Sequence, residues 1–482
     1  MSDVTVLELA RATGAHVVAP AGGVALEGVV RGATLDSRRV GPGQVFVPLV
    51  GTRVDGHDFV AQALEAGASA AFCARARLDA VTAACRTRGV PAGAALLVVE
   101  DPEAALLLWA HARREAWAGD LVGIVGSNGK TTTKEMLAAI LSERAPTQKT
   151  EGNLNNHLGV PVTLTRLADA ARYAVVEIGM NHAGEVRRLS QLARPTAAII
   201  TSIAPEHLEG LGSLDEVARA EAEIGEALPK GAPLVVPGDE PRLEPWVRPL
   251  KARLMTFALV AGSDFVAHDV VSLGEAGMRF EVQGFPPMTV PVPGRHSVAN
   301  ALAAIALASA LGASPAECAH GLENTARLFG RMEVVRVAGV TLLLDHYNAN
   351  PGSMDAGLDT LETWPNARRK FAALGDMLEL GDAAADYHAA LGRRLSRLGG
   401  AGLWGPLMAH AAADAGQGGN VRHFGNEPRE KTALGEWLAA QLAEGDVVLV
   451  KGSRGSAMED VARVLEDRLA KKGGAIAAGE GR

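Results

Sequence analysis

The strongest chemical signal in the sequence is the run Gly126, Ser127, Asn128, Gly129, Lys130, Thr131 and Thr132. It follows the apolar stretch Leu121 to Val125 and opens a segment, Thr131 to Leu141, whose apolar spacing predicts a helix. In that context backbone N–H groups and the positive end of the helix hold phosphate oxygens. Lys130 neutralises charge on the β- and γ-phosphates, and the Thr131 hydroxyl can ligate magnesium. The strict G-x-x-x-x-G-K-[ST] spacing fails, because its first glycine would fall on Ile124 and Gly123 is one residue early. The loop is a variant, and its bland alternative is a glycine-rich turn between strand and helix.

Other residues fall where a parallel sheet collects ligands. Glu177 closes the apolar strand that begins at Tyr173, so its carboxylate is a candidate metal ligand beside the phosphates, although acids often end strands. His207 follows the apolar run Ala197 to Ile200 and Glu206, and reads equally as a metal ligand or a surface residue. The segment Thr150 to Pro161 carries Asn153, Asn155 and Asn156 with glycine and proline; its amides favour turns and also suit carboxylates or phosphates. Asp345 to Pro351, at the end of another apolar run, has loop punctuation as its bland reading.

The elements that must position these residues fall into three blocks. Residues 1–118 mix short β-rich runs (Val45 to Val50, Ala70 to Cys73, Ala94 to Val99) with helices, the last from Asp101. Residues 119–326 alternate apolar strands with helices, which implies a parallel or mixed sheet with helices on both faces, and end in a helix from Val298 to Leu311. Residues 327–482 repeat that alternation with strands at Val340 to Leu344, Phe371 to Leu374 and Val447 to Val450, the pattern of a dinucleotide-fold-like open sheet. The expected fold class is α/β in three domains, the N-terminal one smaller. The Gly/Ala-rich tail after Lys472 is expected to fray.

Composition bounds the partners. Of 482 residues 48% are apolar and 21% charged, an ordinary globular balance. A net charge of −8 argues against a general nucleic-acid binder. Cys73, Cys85 and Cys318 lack C-x-x-C spacing, which points away from a disulfide framework or a zinc site and towards the cytoplasm. No signal peptide is read at the N-terminus, and Ala301 to Ala313 is far short of the ~20 apolar residues of a spanning helix, so no membrane insertion is expected.

Taken in order, GSNGKTT, TEGNLNNHLGVP, Glu177 to Met180, Glu206 to Gly210, Pro293 to His296 with Asn300, Gly330 to Glu333, YNANP, GDMLELG and Lys451 to Arg454 resemble the Mur ligase family over nearly the whole chain. The resemblance implies an ATP- and magnesium-dependent amide ligase, a monomer, acting on a UDP-N-acetylmuramoyl-tripeptide and D-alanyl-D-alanine through an acyl phosphate. It would place Lys130, Glu177 and His207 in catalysis and Asn300 near adenine. Arg331 and Asp345 would meet the nucleotide across a domain interface. Ser37 and Arg38 would lie toward the uridine end, Asn153 and Asn156 on substrate, and Lys451, Ser453 and Arg454 near the amino-acid substrates. Open alternatives are another ligase of the family, a folylpolyglutamate synthase, and an ATP-binding regulatory protein without catalysis. The third peptide residue, diaminopimelate or lysine, is also open.

The sequence departs from its relatives in three places. Ser297 stands where similar sequences commonly have Asn, and Leu344 where some show a second acid before Asp345. Glu221 falls within the apolar stripe Leu214, Val217, Ile224 and Leu228, where an acid needs a partner or solvent. Similar ligases usually carry a carbamylated lysine at this position. Glu221 would then supply negative oxygens to a metal directly, beside Glu177, His207 and Thr131.

Overall fold

The computed structural model describes residues 4–416 and 420–479. Among the described residues three large sheets follow one another along the chain, besides a two-stranded antiparallel pair of Val4–Thr5 and Val29–Val30. The first orders its strands His16–Val18, Ala95–Val99, Ala70–Ala74, Gln44–Phe46 and Gly32–Thr34, parallel except for the first pair. The helix Pro102–Ala116 leads out of it, capped at Asp101, whose carboxylate accepts from Glu103 N–H. Arg113 and Arg114 on that helix are buried and donate to the carbonyls of Leu167 and Ala193, anchoring it on the central unit.

The central sheet has nine strands. From Thr147–Lys149 through Tyr173–Glu177, Asp120–Val125, Ala197–Ile200, Pro233–Pro237 and Arg253–Ala258 to Phe265–Ser272 the neighbours are parallel. Met278–Val282 and Met288–Val290 then extend it antiparallel. The strand Asp120–Val125 shows why it is central. Val122 and Ile124 pack into one core, Leu121 and Val125 into the core on the opposite face, and all four are fully buried. Each contributes on the order of 1.5–3 kcal/mol by burial. Helices Lys130–Ser142 and Arg295–Ala310 pack against each other and over the first face; Gly159–Thr165 and Glu185–Ala193 cover the second.

The third sheet orders Glu333–Val337, Val340–Asp345, Val447–Lys451, Lys370–Gly375, Gly400–Trp404 and Val421–His423, antiparallel in the first pair and parallel thereafter. The fold class is therefore α/β with parallel and mixed sheets, as the strand–helix alternation predicts. Arg253–Ala258, Phe265–Ser272 and Met278–Val282 carry no apolar run. Met278–Val282 alternates buried and exposed residues, the signature of a strand with one solvated face. The segment after Lys472 does not fray at once but continues the helix Glu459–Gly479; residues 480–482 lie outside the described residues. Among the described residues no helix is long and apolar enough to cross a membrane.

Candidate active site

Asp120–Val125 lies between Tyr173–Glu177 and Ala197–Ile200, with Glu177 beside Ile124 and Ile200 beside Val125. The chain leaves these strands in different directions, so a crevice opens beyond their carboxyl ends. Facing it, Asp345 and Lys451 end two paired strands of the third sheet in register. Between the two sheets lies a cleft of about 760 Å³ lined from both sides.

The loop 126–129 is fixed by its neighbour. Ser127 N–H donates to Ser202 O (2.8 Å), Asn128 N–H to Ser202 Oγ (2.9 Å), and Thr201 Oγ1 to Asn128 O (2.6 Å). Glycine is required twice. Gly126 has φ +123°, and a Cβ there would lie 2.2 Å from Thr201 Oγ1; Gly129 has φ +83°, and its Cβ would lie 2.2 Å from Asn300 Oδ1. Lys130, Thr131 and Thr132 form the first turn of the helix, whose N–H groups have no intrahelical acceptor, and all three line the cleft.

Around this loop stand buried acids. Lys130 Nζ folds back onto Gly126 O, approaches Ser127 O at 3.3 Å and lies 3.9 Å from Glu206 Oε1. Burial alone would lower the lysine, but Glu206, Glu221 and Glu177 outweigh it and hold its ammonium above the ordinary range. Glu177 Oε1 accepts from Asn155 Nδ2 (2.8 Å), and its Oε2 is buried 3.6 Å from the buried Lys134 ammonium without a hydrogen bond. Glu221 is 1% exposed; burial pushes its carboxyl up to about 8 despite Lys130, and its Oε2 also has no hydrogen-bond partner. It is a buried acid, not a solvated one, with Lys130, Glu206 and Gly126 around it. His207 lines the cleft, with Nε2 4.0 Å from Glu206 Oε2.

The opposite wall carries Arg331, whose guanidinium lies 4.1 Å from the centroid of the Tyr347 ring. Asp345 accepts from Met332 N–H (3.1 Å) and pairs with Lys451 Nζ (2.6 Å), which also donates to Asn348 O. His296 and Asn300, on the helix Arg295–Ala310, complete this end.

Comparison with known proteins gives the arrangement its family. Residues 29–114 match the model described as Mur ligase family, catalytic domain; residues 124–308 match Mur ligase middle domain; residues 330–454 match Mur ligase, glutamate ligase domain. The chain belongs to the Mur ligase family. It is 39% identical over 90% of its length to the UDP-N-acetylmuramoyl-tripeptide–D-alanyl-D-alanine ligase of Escherichia coli, and 34% over 91% to that of Bacillus subtilis, covering 93% of each relative. Among solved structures it is similar to MurF from Acinetobacter baumannii, at 32% identity and TM-score 0.79 over 96% of this chain and 98% of that one. MurF from Thermotoga maritima in complex with ADP matches at 27% and 0.78, over 92% and 99%.

Within this Mur ligase the residues singled out from sequence take different places. Ser127 to Thr132, Asn156, Glu177, His207, Asn300, Arg331, Asp345 and Lys451 line the cleft. Gly126 belongs to the loop but not to the cleft lining, and Glu221 stands beside it, also outside the lining. Lys451 is 2% exposed and its ammonium is committed to Asp345 and Asn348. Ser453 Oγ donates to Ala349 O and accepts from Leu378 N–H, and Arg454 is exposed and paired with Glu459. Ser37 and Arg38 lie in the first unit, where Arg38 holds Asp36 well below the usual carboxylate range, at about 2. Asn153 stands outside the cleft lining; Asn155, in the same run, is the residue that grips Glu177. Glu206, His296, Tyr347 and Asn350 also line the cleft. Tyr347 and Asn350 sit within the YNANP run, which was legible as a site segment but not residue by residue.

Proposed function

We propose that the chain is an ATP-dependent amide ligase that joins D-alanyl-D-alanine to a UDP-N-acetylmuramoyl-tripeptide, releasing ADP and phosphate. The observation that carries this reading is one cleft in which a phosphate loop on one sheet faces Arg331, Asp345 and residues 347–350 on another. The relatives' names supply the substrates. The domain division we assign, 1–118 for the uridine precursor, 119–326 for the ATP phosphates and 327–482 for nucleotide and dipeptide, places each boundary between sheets.

Joining a carboxylate to an amine in water needs the carboxylate activated. The tripeptide carboxylate attacks the γ-phosphorus, giving an acyl phosphate and ADP; the dipeptide amine then attacks the acyl carbon through a tetrahedral species and expels phosphate. Two anions must meet in the first step, so positive charge matters more than a protein nucleophile. Lys130 leaves the carbonyls of its own loop for the β- and γ-phosphate oxygens, and the N–H groups of Lys130 to Thr132 hold the same oxygens. Arg331 and Asp345 orient the nucleoside, with Asn300 at the adenine. Closure of the two walls keeps water from the acyl phosphate.

Glu177 Oε2 and Glu221 Oε2 are buried carboxylate oxygens without hydrogen-bond donors, which fits a divalent cation beside the phosphates. Among the described residues no group of three or more His, Cys, Asp and Glu forms a ready-made cage. Magnesium is commonly held by one or two carboxylates together with phosphates and waters. Glu177, His207, Thr131 and Glu221 would hold it here, and bound magnesium would screen the charge of the meeting anions. Glu221 would supply carboxylate oxygens from the chain itself, its proton given up when the cation binds.

Mass spectrometry of the product tests the proposal. Purified protein with ATP, magnesium and the diaminopimelate- or lysine-containing precursor should gain one D-alanyl-D-alanine per ADP formed. Product with free meso-diaminopimelate or L-glutamate instead would assign another ligase of the class, and ATP binding without substrate-dependent ADP release would assign a regulatory protein.

A further inference from the structure

His207 ends the central-sheet loop that lines the cleft, and Glu379 belongs to the GDMLELG segment of the third unit. Their side chains meet: His207 Nδ1 lies 2.5 Å from Glu379 Oε2. Both backbones are left-handed, φ +50° at His207 and φ +61° at Glu379, although neither is glycine. Gly381 packs against Glu209 next to this contact, so the two segments dock as a unit. Glu379 is 57% exposed. An exposed ion pair of that kind stabilises little, less than two left-handed non-glycine residues cost, so stability does not account for the arrangement.

The chemistry of the pair does. A carboxylate only accepts, so the proton of a neutral imidazole sits on Nδ1, and Nε2 keeps its lone pair. Nε2 is the nitrogen turned toward Glu206 and the cleft, 4.0 Å from Glu206 Oε2. A histidine that binds a cation through one nitrogen characteristically donates from the other to a carboxylate, which fixes its tautomer and ring orientation.

We infer that Glu379 is a positioning residue that reaches across from the third unit to orient His207 Nε2 toward a divalent cation at the phosphate loop. The cation site is thereby completed only when the two units are docked. This rests on the reading of His207 as a ligand to that cation.

Titration of the full-length protein with Mn²⁺ in the presence of ADP, followed by electron paramagnetic resonance of the free ion, tests it without turnover. Glu379→Gly removes the carboxylate at a backbone geometry that glycine favours, so folding is retained. It should weaken Mn²⁺ binding about tenfold or more. Glu379→Gln keeps an acceptor oxygen for Nδ1–H and should restore most of the affinity. Equal weakening by both variants would overturn orientation as the role, leaving only charge. Unchanged binding in Glu379→Gly alongside weakened binding in His207→Ala would overturn the inference and leave the cation reading standing. Unchanged binding in His207→Ala would overturn both.

Discussion

Asn128 of the phosphate loop and Asn350 of the third unit exchange two hydrogen bonds, Asn128 Nδ2 to Asn350 Oδ1 at 3.1 Å and Asn350 Nδ2 to Asn128 Oδ1 at 3.0 Å, across 222 residues of sequence. Asn350 also caps the helix Pro351–Glu362, accepting from Ser353 N–H at 2.9 Å. The phosphate loop is thus tied to the first turn of the helix that forms the opposite wall.

These two duties separate by mutation. Asn350→Ala loses cap and amide pair and should cost about 1 kcal/mol or more in stability. Asn350→Ser keeps a capping oxygen but not the amide pair, so its melting temperature should return most of the way. Both variants, like Asn128→Ala, should show a larger radius of gyration by X-ray scattering without nucleotide. A Ser variant as compact as the wild type would show that the amide pair does not hold the walls together.

Lys130→Ala should leave the circular dichroism spectrum unchanged, because the residue opens the helix Lys130–Ser142, where alanine is well tolerated, and Thr201 and Ser202 fix the preceding loop independently. Ligation at saturating ATP and dipeptide should fall at least about a hundredfold, the cost of losing one preorganised donor at the reacting charge. Turnover near the wild-type rate would remove Lys130 from the phosphate site.

Lys134 is 1% exposed, with Glu135 and Glu177 each 3.6 Å from its ammonium and Gly152 O 3.3 Å away. Lys134→Met leaves Glu177 buried without its cation, which should destabilise the protein by about 3–5 kcal/mol. Adding Glu177→Gln removes the orphaned charge and should recover a substantial part. Urea unfolding of the single and double variants measures this; strict additivity would show that the two side chains do not interact.

Glu221 carries a pH signature. Burial raises its carboxyl from 4.5 to about 8, so the folded protein binds a proton there that the unfolded chain has released. Its contribution to stability is complete below about pH 4.5 and is lost as pH rises through about 8. In chelator-treated, nucleotide-free protein, Glu221→Gln should therefore gain melting temperature relative to wild type as pH rises from 5 to 8.5. With magnesium and ATP, the same variant should lose turnover sharply, and wild-type ligation should survive removal of bicarbonate. Equal pH profiles of melting for the two proteins would mean that Glu221 ionises freely in the fold.

Much of this was written in the chain order of residue types. Fully buried strands such as Ala197–Ile200 are continuous apolar runs because helices cover both faces, so their existence and even their ends are legible. The phosphate loop is legible because glycine at 126 and 129 answers a local backbone need and a lysine follows at once. What the sequence could not decide is which of several similar neighbours meets a given partner. Asn153, Asn155 and Asn156 are equivalent as residue types, yet the turn aims Asn155 at Glu177 while Asn156 Oδ1 accepts from Gly159 N–H. Lys451 and Arg454 are both cations after one strand, yet register places Lys451 against Asp345 inside the cleft and leaves Arg454 on the surface. Asn128 with Asn350 and His207 with Glu379 lie far apart in sequence. Secondary structure follows from short-range periodicity, whereas these pairs exist only because two separately formed sheets present their carboxyl ends to one another.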